Sequence, residues 1–371
     1  MTVPDAFIHT GYAQRLHFGA GALNRVAEVV RETGARRVML VTSAGRHASD
    51  DGQRLVRLLG RSVVATFADV HPHVPTTDVQ AAVADARSAS IDCVVSFGGG
   101  SCADLGKAVC YFLEQESGVP GASYVDRPAV AHVAVPTTYA GAELTPSFGM
   151  TDVATRTKAG AGGPTIAPIA AVYDPEVTVG TPPRTSAETG MNAVAHGVEV
   201  AWSPTRSAEA EALALACIAA AVDALPRVVD DPSDLPARTD MLRAAMLGGR
   251  ALQNGTTGVH HGLAQLLGGR TGMPHGLANA VILPHAMRFN ADVIPVEMHR
   301  IGLALGDPED AAGAAARLVE RLGLPTSLRA CGVTDEDVDV VARMAEGNRS
   351  VGANPRPVGV EDARAILAAA L

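Results

Sequence analysis

Short apolar runs alternate with helical stretches over the first half of this chain, and after Pro182-Pro183 few β-branched runs remain. No other feature limits the fold as strongly. A strand–helix alternation builds a parallel sheet covered by helices, and a long helical remainder needs a core of its own. Residues 37–42, 62–67, 92–97, 130–136 and 169–173 read as strands, the first three as buried ones. Residues 22–33, 77–88 and 102–114 read as helices between them. Residues 207–225, 235–254 and 308–322 are rich in Ala, Leu and Arg with helical period. The expected architecture is an α/β domain with a parallel sheet over 1–178 and an all-helical domain over 179–371. Ligands of such sheets lie at the carboxyl ends of the strands, so the active site is expected in the cleft between the domains.

Bulk properties narrow the function. A length of 371 residues, 47% of them apolar, suits two cores. A net charge of −9 argues against nucleic acid as a partner. Five scattered cysteines, with Cys93, Cys102 and Cys110 not at zinc spacing, read as reduced thiols of a cytoplasmic protein. No basic stretch followed by an apolar one marks a signal peptide, and no apolar run is read as long enough to span a bilayer. Lys107 and Lys158 are the only lysines, so a compact point charge is expected to matter at both.

The third strand runs into Gly98-Gly99-Gly100-Ser101, with Asp104 just beyond in the following helix. Glycines let backbone N–H groups approach an anion, and the helix adds its positive end, so this turn is read as a pyrophosphate cradle. Thr137-Thr138, after the next strand, can reach phosphate or nicotinamide amide groups. Ser43 and Arg46 follow the first strand, where an acidic residue would hold a ribose hydroxyl and repel a 2′-phosphate. With Arg46 there instead, NADPH is expected to serve at least as well as NADH.

Asn192 and His196 are four apart and share one helix face. His261 (after His260) and His275 follow in later segments, the last in Pro274-His275-Gly276. This ordered set looks like a metal site with one ligand replaced. His71, His73 and His285 are weaker candidates.

These motifs resemble the iron-containing (group III) alcohol dehydrogenases, a dehydroquinate synthase-like fold family, and within them most nearly the maleylacetate reductases. The resemblance runs nearly end to end. It includes Phe18-Gly19-Ala20-Gly21, the Gly98 loop through Lys107, residues 136–143, Tyr173-Asp174-Pro175, residues 190–199 and 274–290, and Asn354-Pro355-Arg356-Pro357. In metal-dependent members an Asp and three His bind Fe²⁺ or Zn²⁺. The matching positions are Asn192, His196, His261 and His275, so a neutral amide stands where the carboxylate would be. The maleylacetate reductases have that Asn and are generally taken to work without metal. The family commonly has another His where this chain has Gln265, which cannot titrate near neutral pH.

The resemblance implies NADH- or NADPH-dependent reduction of the C=C bond of maleylacetate to 3-oxoadipate in aromatic-compound degradation, by a cytoplasmic homodimer with no metal requirement. Asn192, His196, His261 and His275 would carry the chemistry. Tyr139, Arg356 and Gln265 would hold substrate, and Lys158 would hold a cofactor phosphate or ribose. The alternatives are a metal-dependent alcohol dehydrogenase or aldehyde reductase using Asn192, His196, His261 and His275 as ligands, or a biosynthetic relative acting on another unsaturated or oxo substrate. A cofactor-binding sensor is the one non-enzyme reading.

Overall fold

The structure, a computed structural model, describes residues 4, 6–118, 128–155 and 157–371. It divides into two compact units, Gly11–Thr181 and a second made of Pro182–Leu371 with the segment up to Thr10. Sequence reasoning put that early segment in the α/β domain. Its hydrogen bonds lie elsewhere: Asn254 Nδ2 donates to the Thr10 carbonyl at 3.1 Å, and His9 Nδ1 lies 3.3 Å from Ser207 Oγ.

In the first unit the strands are β1 Arg15–Phe18, β2 Val38–Thr42, β3 Val63–Phe67, β4 Cys93–Gly98, β5 Ala131–Pro136, β6 Ser147–Asp152, β7 Thr157–Gly162 and β8 Ala170–Tyr173. Six form one sheet in the order β1-β8-β5-β4-β2-β3, and every pairing is parallel. The helices are α1 Val26–Glu32, α2 Ala44–Ala48, α3 Asp50–Leu59, α4 Thr76–Ser88 and α5 Gly100–Glu116. Two apolar layers sandwich the sheet. One joins Val26, Val30 and Leu55 to Leu40, Val95 and Val133, and the other joins Val79, Val83, Leu105 and Val109 to Met39, Val41 and Val94. Successive residues of β2 and β4 thus point into opposite layers, which is why both strands read as unbroken apolar runs.

Two expectations need correction. Strand β3 is not buried: it is an edge strand, alternating half-buried and exposed residues, because only β2 pairs with it. Strands β1, β6 and β7 were not anticipated. Strand β1 has four residues, and β6–β7 is an antiparallel hairpin of Ser-Phe-Gly-Met-Thr-Asp against Thr-Lys-Ala-Gly-Ala-Gly, with no apolar run to reveal it.

The second unit holds α6 Pro183–Trp202, α7 Ala208–Asp230, α8 Leu235–Ala251, α9 Val259–Thr271, α10 His275–Asn290, α11 Pro295–Leu305, α12 Ala311–Arg321, α13 Asp335–Met344, α14 Arg349–Gly352 and α15 Val360–Ala370. Helix α7 corrects a third expectation: its 23 residues are long and apolar enough to cross a membrane. Here it packs on α6, α8 and α11 through Ala214, Cys217, Ile218, Ala221 and Leu225.

Candidate active site

Strands β2 and β4 are neighbours from which the chain leaves toward opposite faces of the sheet, the place where α/β sheets open a crevice. The Gly98 loop lies at the carboxyl end of β4. Gly98 has φ +151°, and a Cβ there would sit 2.5 Å from Cys102 Sγ. A Cβ on Gly99 would meet Thr138 Cγ2 at 3.2 Å, and one on Gly100 would meet the Ala140 Cβ at 3.1 Å. The two loops are therefore pressed together, and Thr137 N–H donates to the Gly98 carbonyl at 2.9 Å. The Thr137 hydroxyl is buried with no hydrogen-bond partner. Helix α5 begins at Gly100 with no side-chain cap, so its first N–H groups have none of the usual acceptors.

The other predicted cofactor residues surround this loop. Ser43 caps α2, its hydroxyl accepting from the Arg46 N–H at 3.4 Å. The Arg46 guanidinium donates to Thr181 Oγ1, which in turn donates to the Thr137 carbonyl at 2.6 Å. Asp104 is the ion-pair partner of Lys107, and its charge also acts on Lys158. Lys107 Nζ pairs with its Oδ1 at 2.7 Å and also donates to Ala142 O at 2.8 Å and Thr145 Oγ1 at 3.0 Å. Lys107 is fully buried, so it clamps residues 142–147 to α5 with an ammonium's three donors. Lys158 lies on β7, its stem crossing Gly149, where a Cβ would come within 2.7 Å of Lys158 Cε. Burial lowers its pKa, against the pull of the Asp104 charge. Tyr139 is fully buried in the same unit.

His73 and Val74 hold left-handed conformations, φ 65° and 49°, which a β-branched residue avoids. Thr151 of β6 holds that turn, its hydroxyl donating to His73 O and its N–H to Val74 O, both at 3.0 Å. His71 is surface-exposed beside Asp78, and His285 lies half-buried on α10.

The second unit gathers the four residues matched in sequence. Asn192 and His196 are buried on α6, His261 is buried on α9, and His275 opens α10. The His196 and His261 rings stack at 4.8 Å, and His275 lies 5.6 Å from His261. Gly276 is needed here: a Cβ on it would sit 2.4 Å from the Glu188 carbonyl, so only glycine lets α10 begin this close to α6.

Three residues that sequence reasoning did not assign complete the cluster. Glu199 follows His196 by three and accepts from His261 Nδ1. It also accepts from the Gly258 N–H at 2.8 Å and the His261 N–H at 3.3 Å, so a side chain of α6 caps α9. His260 Nε2 donates to the Asn279 carbonyl at 2.9 Å, and His260 Nδ1 lies 3.3 Å from Glu199 Oε2. Asn279 donates through Nδ2 to Asn192 Oδ1 and, at 3.1 Å, to His275 Nε2. The i,i+3 and i,i+4 spacings from His196 and His275 were the signal available for Glu199 and Asn279.

Charge settles in a definite pattern. Burial alone would raise the Glu199 carboxyl, but His261 and His260 outweigh it and hold it well below the usual range, so Glu199 is ionised. An ionised carboxylate only accepts, so His261 carries a proton on Nδ1. Burial, aided by the charge of His261, pushes His196 well below 6.5, and it stays neutral.

Gln265 is half-buried one turn beyond His261. Arg356 lies against Phe289. It stacks on the Phe289 ring at 4.1 Å and donates to the Phe289 carbonyl at 2.8 Å. Phe289 is near the far end of α10, about 21 Å along the axis from His275.

Residues 13–175 match the iron-containing alcohol dehydrogenase model, and residues 186–371 match that of the C-terminal region of the Fe-containing alcohol dehydrogenase family. The chain belongs to the iron-containing alcohol dehydrogenase family. It is an NAD(P)-dependent oxidoreductase by that membership. It is 35% identical over 363 residues to a maleylacetate reductase of Burkholderia cepacia, covering 98% of this chain and 97% of the relative. It is 36% identical to maleylacetate reductase 2 of Cupriavidus pinatubonensis, covering 99% and 97%. Among solved structures it is similar to maleylacetate reductase from Rhizobium sp. strain MTP-10005, with TM-score 0.86, 33% identity and 99% and 98% coverage.

The family name implies a metal, and this donor set does not fit one well. Among the described residues, the one group of three His, Cys, Asp or Glu with ligand atoms within 4.8 Å of one another is Glu199, His260 and His261, not His196, His261 and His275. The Glu199 carboxylate in that group already accepts from His261 Nδ1 and two backbone N–H groups. The four sequence-matched residues include no carboxylate, and the Asn192 oxygen already accepts from Asn279. The Gly98 loop, in contrast, fits a dinucleotide: one position where a Cβ would collide and two where it would be crowded, an uncapped helix start and a spare buried hydroxyl.

Proposed function

We propose that this protein reduces the C=C bond of maleylacetate to give 3-oxoadipate, with NADH or NADPH as the reductant. The observation that carries the chemistry is the Glu199–His261 pair. Full-length similarity to several maleylacetate reductases supports the substrate.

The Gly98-Gly99-Gly100-Ser101 turn, with Thr137, Thr138, Ser43 and Arg46, would hold the cofactor's phosphates, and Lys158 beside Asp104 would hold a ribose or phosphate. When bound, the reduced nicotinamide supplies the hydride. That hydride ends on the carbon β to the ketone, and the electron pair of the C=C bond moves to the ketone oxygen as an enolate. The protein's task is to stabilise that oxygen and protonate the α-carbon. Asn192 and His275 would donate hydrogen bonds to it.

His261 is the proton donor. Glu199 fixes its Nδ1–H and stabilises the imidazolium, so Nε2–H is the acid, and His261 returns to neutral imidazole as the α-carbon takes the proton. Burial holds His196 neutral, which favours His261 over it for this role. Gln265, one turn beyond His261, would hold a substrate carboxylate by its amide N–H, as would Tyr139. Arg356 is kept as a carboxylate anchor by resemblance alone.

We further propose that the enzyme needs no metal, works in the cytoplasm as a homodimer, and belongs to aromatic-compound degradation. The donor set described above supports the first point. In the test, His261→Ala lowers kcat by about 10²–10⁴-fold and leaves cofactor KM unchanged. Full turnover in that variant would remove His261 from the mechanism.

A further inference from the structure

Asn279 touches three helices of the cluster at once, and each contact has a fixed direction. Its side-chain nitrogen carries two hydrogens and can only donate. One is directed at Asn192 Oδ1 on α6, and the other at His275 Nε2, one turn back on α10 at 3.1 Å. Its backbone carbonyl can only accept, and takes the His260 Nε2–H of α9 at 2.9 Å. Asn279 is fully buried, so water does not compete for these positions.

Two consequences follow. The Asn192 carbonyl is committed to Asn279, so the Asn192 amide presents its N–H groups in the other direction. His275 Nε2 is an acceptor, so neutral His275 carries its proton on Nδ1. We propose that Asn279 is the positioning residue that turns Asn192 and His275 into the pair of hydrogen-bond donors for the developing enolate oxygen. The proposal rests on the enolate chemistry given above, but its structural content is the direction of two hydrogen bonds.

The identity of residue 279 matters under this scheme. An aspartate has nearly the same shape but only accepts. It would draw the Asn192 N–H group and a His275 Nε2–H toward itself, and both donors would turn away from the substrate. Asn279→Asp is therefore the sharper variant, and Asn279→Ala, which merely releases both partners, the milder one.

The test reads the proton position directly. Two-bond ¹⁵N–¹H correlation spectra of wild-type protein labelled with ¹⁵N-histidine show which ring nitrogen carries hydrogen, and His275→Gln assigns the signal. The expected spectrum has His275 protonated at Nδ1 and bare at Nε2, with the reverse in Asn279→Asp. In kinetics, Asn279→Asp lowers kcat by about 10²–10³-fold, with cofactor KM unchanged. In an Asn192→Ala background the same substitution costs clearly less, since part of its effect runs through Asn192. A wild-type His275 protonated at Nε2, or unchanged kcat in Asn279→Asp, overturns the proposal. The wild-type spectrum needs neither turnover nor a foldable variant. A protein that ignores maleylacetate but shows Nε2 bare refutes that substrate while supporting the role of Asn279.

Discussion

Glu199 fixes His261 from two sides: its carboxylate accepts the Nδ1–H of that ring and, through the N–H groups of Gly258 and His261, caps the helix that carries it. Ring orientation, tautomer and helix position thus depend on one buried anion. Replacing Glu199 by Gln keeps the shape but lets an N–H₂ face Nδ1 and favour the wrong tautomer. Expected is a kcat loss of about 10²–10⁴-fold with cofactor KM unchanged. A Glu199→Gln enzyme with wild-type kcat contradicts the proton-donor assignment.

Acid should weaken the fold in two stages. His132 is buried, with Nε2 2.8 Å from Ser96 Oγ, and burial followed by the Lys107 charge lowers its pKa to about 3, while His196 is also lowered. The unfolded chain takes up protons on these histidines near pH 6.5 and the folded chain does not. Stability therefore falls as pH drops below about 6.5, by up to about 1.4 kcal/mol per pH unit for each group. Glu199 is likewise lowered, from 4.5, so its contribution is complete above about pH 4.5 and is lost as pH falls through its folded value. Urea midpoints between pH 8 and pH 4.5 measure this, and His132→Gln should flatten the curve. An unchanged slope in that variant would show that His132 is not one of the groups.

Lys107 is the clamp behind the cofactor loop. Lys107→Met removes a buried cation and leaves Asp104 without its ion-pair partner, at a cost of about 3–5 kcal/mol. Loosening residues 142–147 should also raise cofactor KM, because the adjoining Thr138 and Ala140 are pressed against Gly99 and Gly100. Stability loss without any change in cofactor KM would confine Lys107 to the core.

Arg46 stands at the carboxyl end of β2, its guanidinium bonded to Thr181. On the reading that it accepts a 2′-phosphate, kcat/KM with NADPH is at least equal to that with NADH, and Arg46→Ala lowers the NADPH value selectively. A strong NADH preference in the wild type rules this out.

The sequence made some of this visible and hid the rest for physical reasons. Strands β2 and β4 were legible because both faces are buried, so their residues are apolar without a break. The β6–β7 hairpin was hidden by its glycines and threonines, and Lys158 was therefore taken out of its setting. Asn192, His196, His261 and His275 could be collected by type and spacing. What each does depends on hydrogen-bond direction, supplied by Glu199 and Asn279, and neither residue stands out without the fold. Arg356 shows the converse: its motif was visible, and its guanidinium stacks on Phe289 and donates to the Phe289 carbonyl near the far end of α10 from His275.

The most direct test is oxidation of NADPH and NADH with freshly generated maleylacetate, with and without EDTA. The account predicts rapid oxidation, one cofactor consumed per 3-oxoadipate formed, unaffected by the chelator. No oxidation contradicts the substrate, and activity lost to EDTA and restored by Zn²⁺ or Fe²⁺ contradicts the metal-free mechanism.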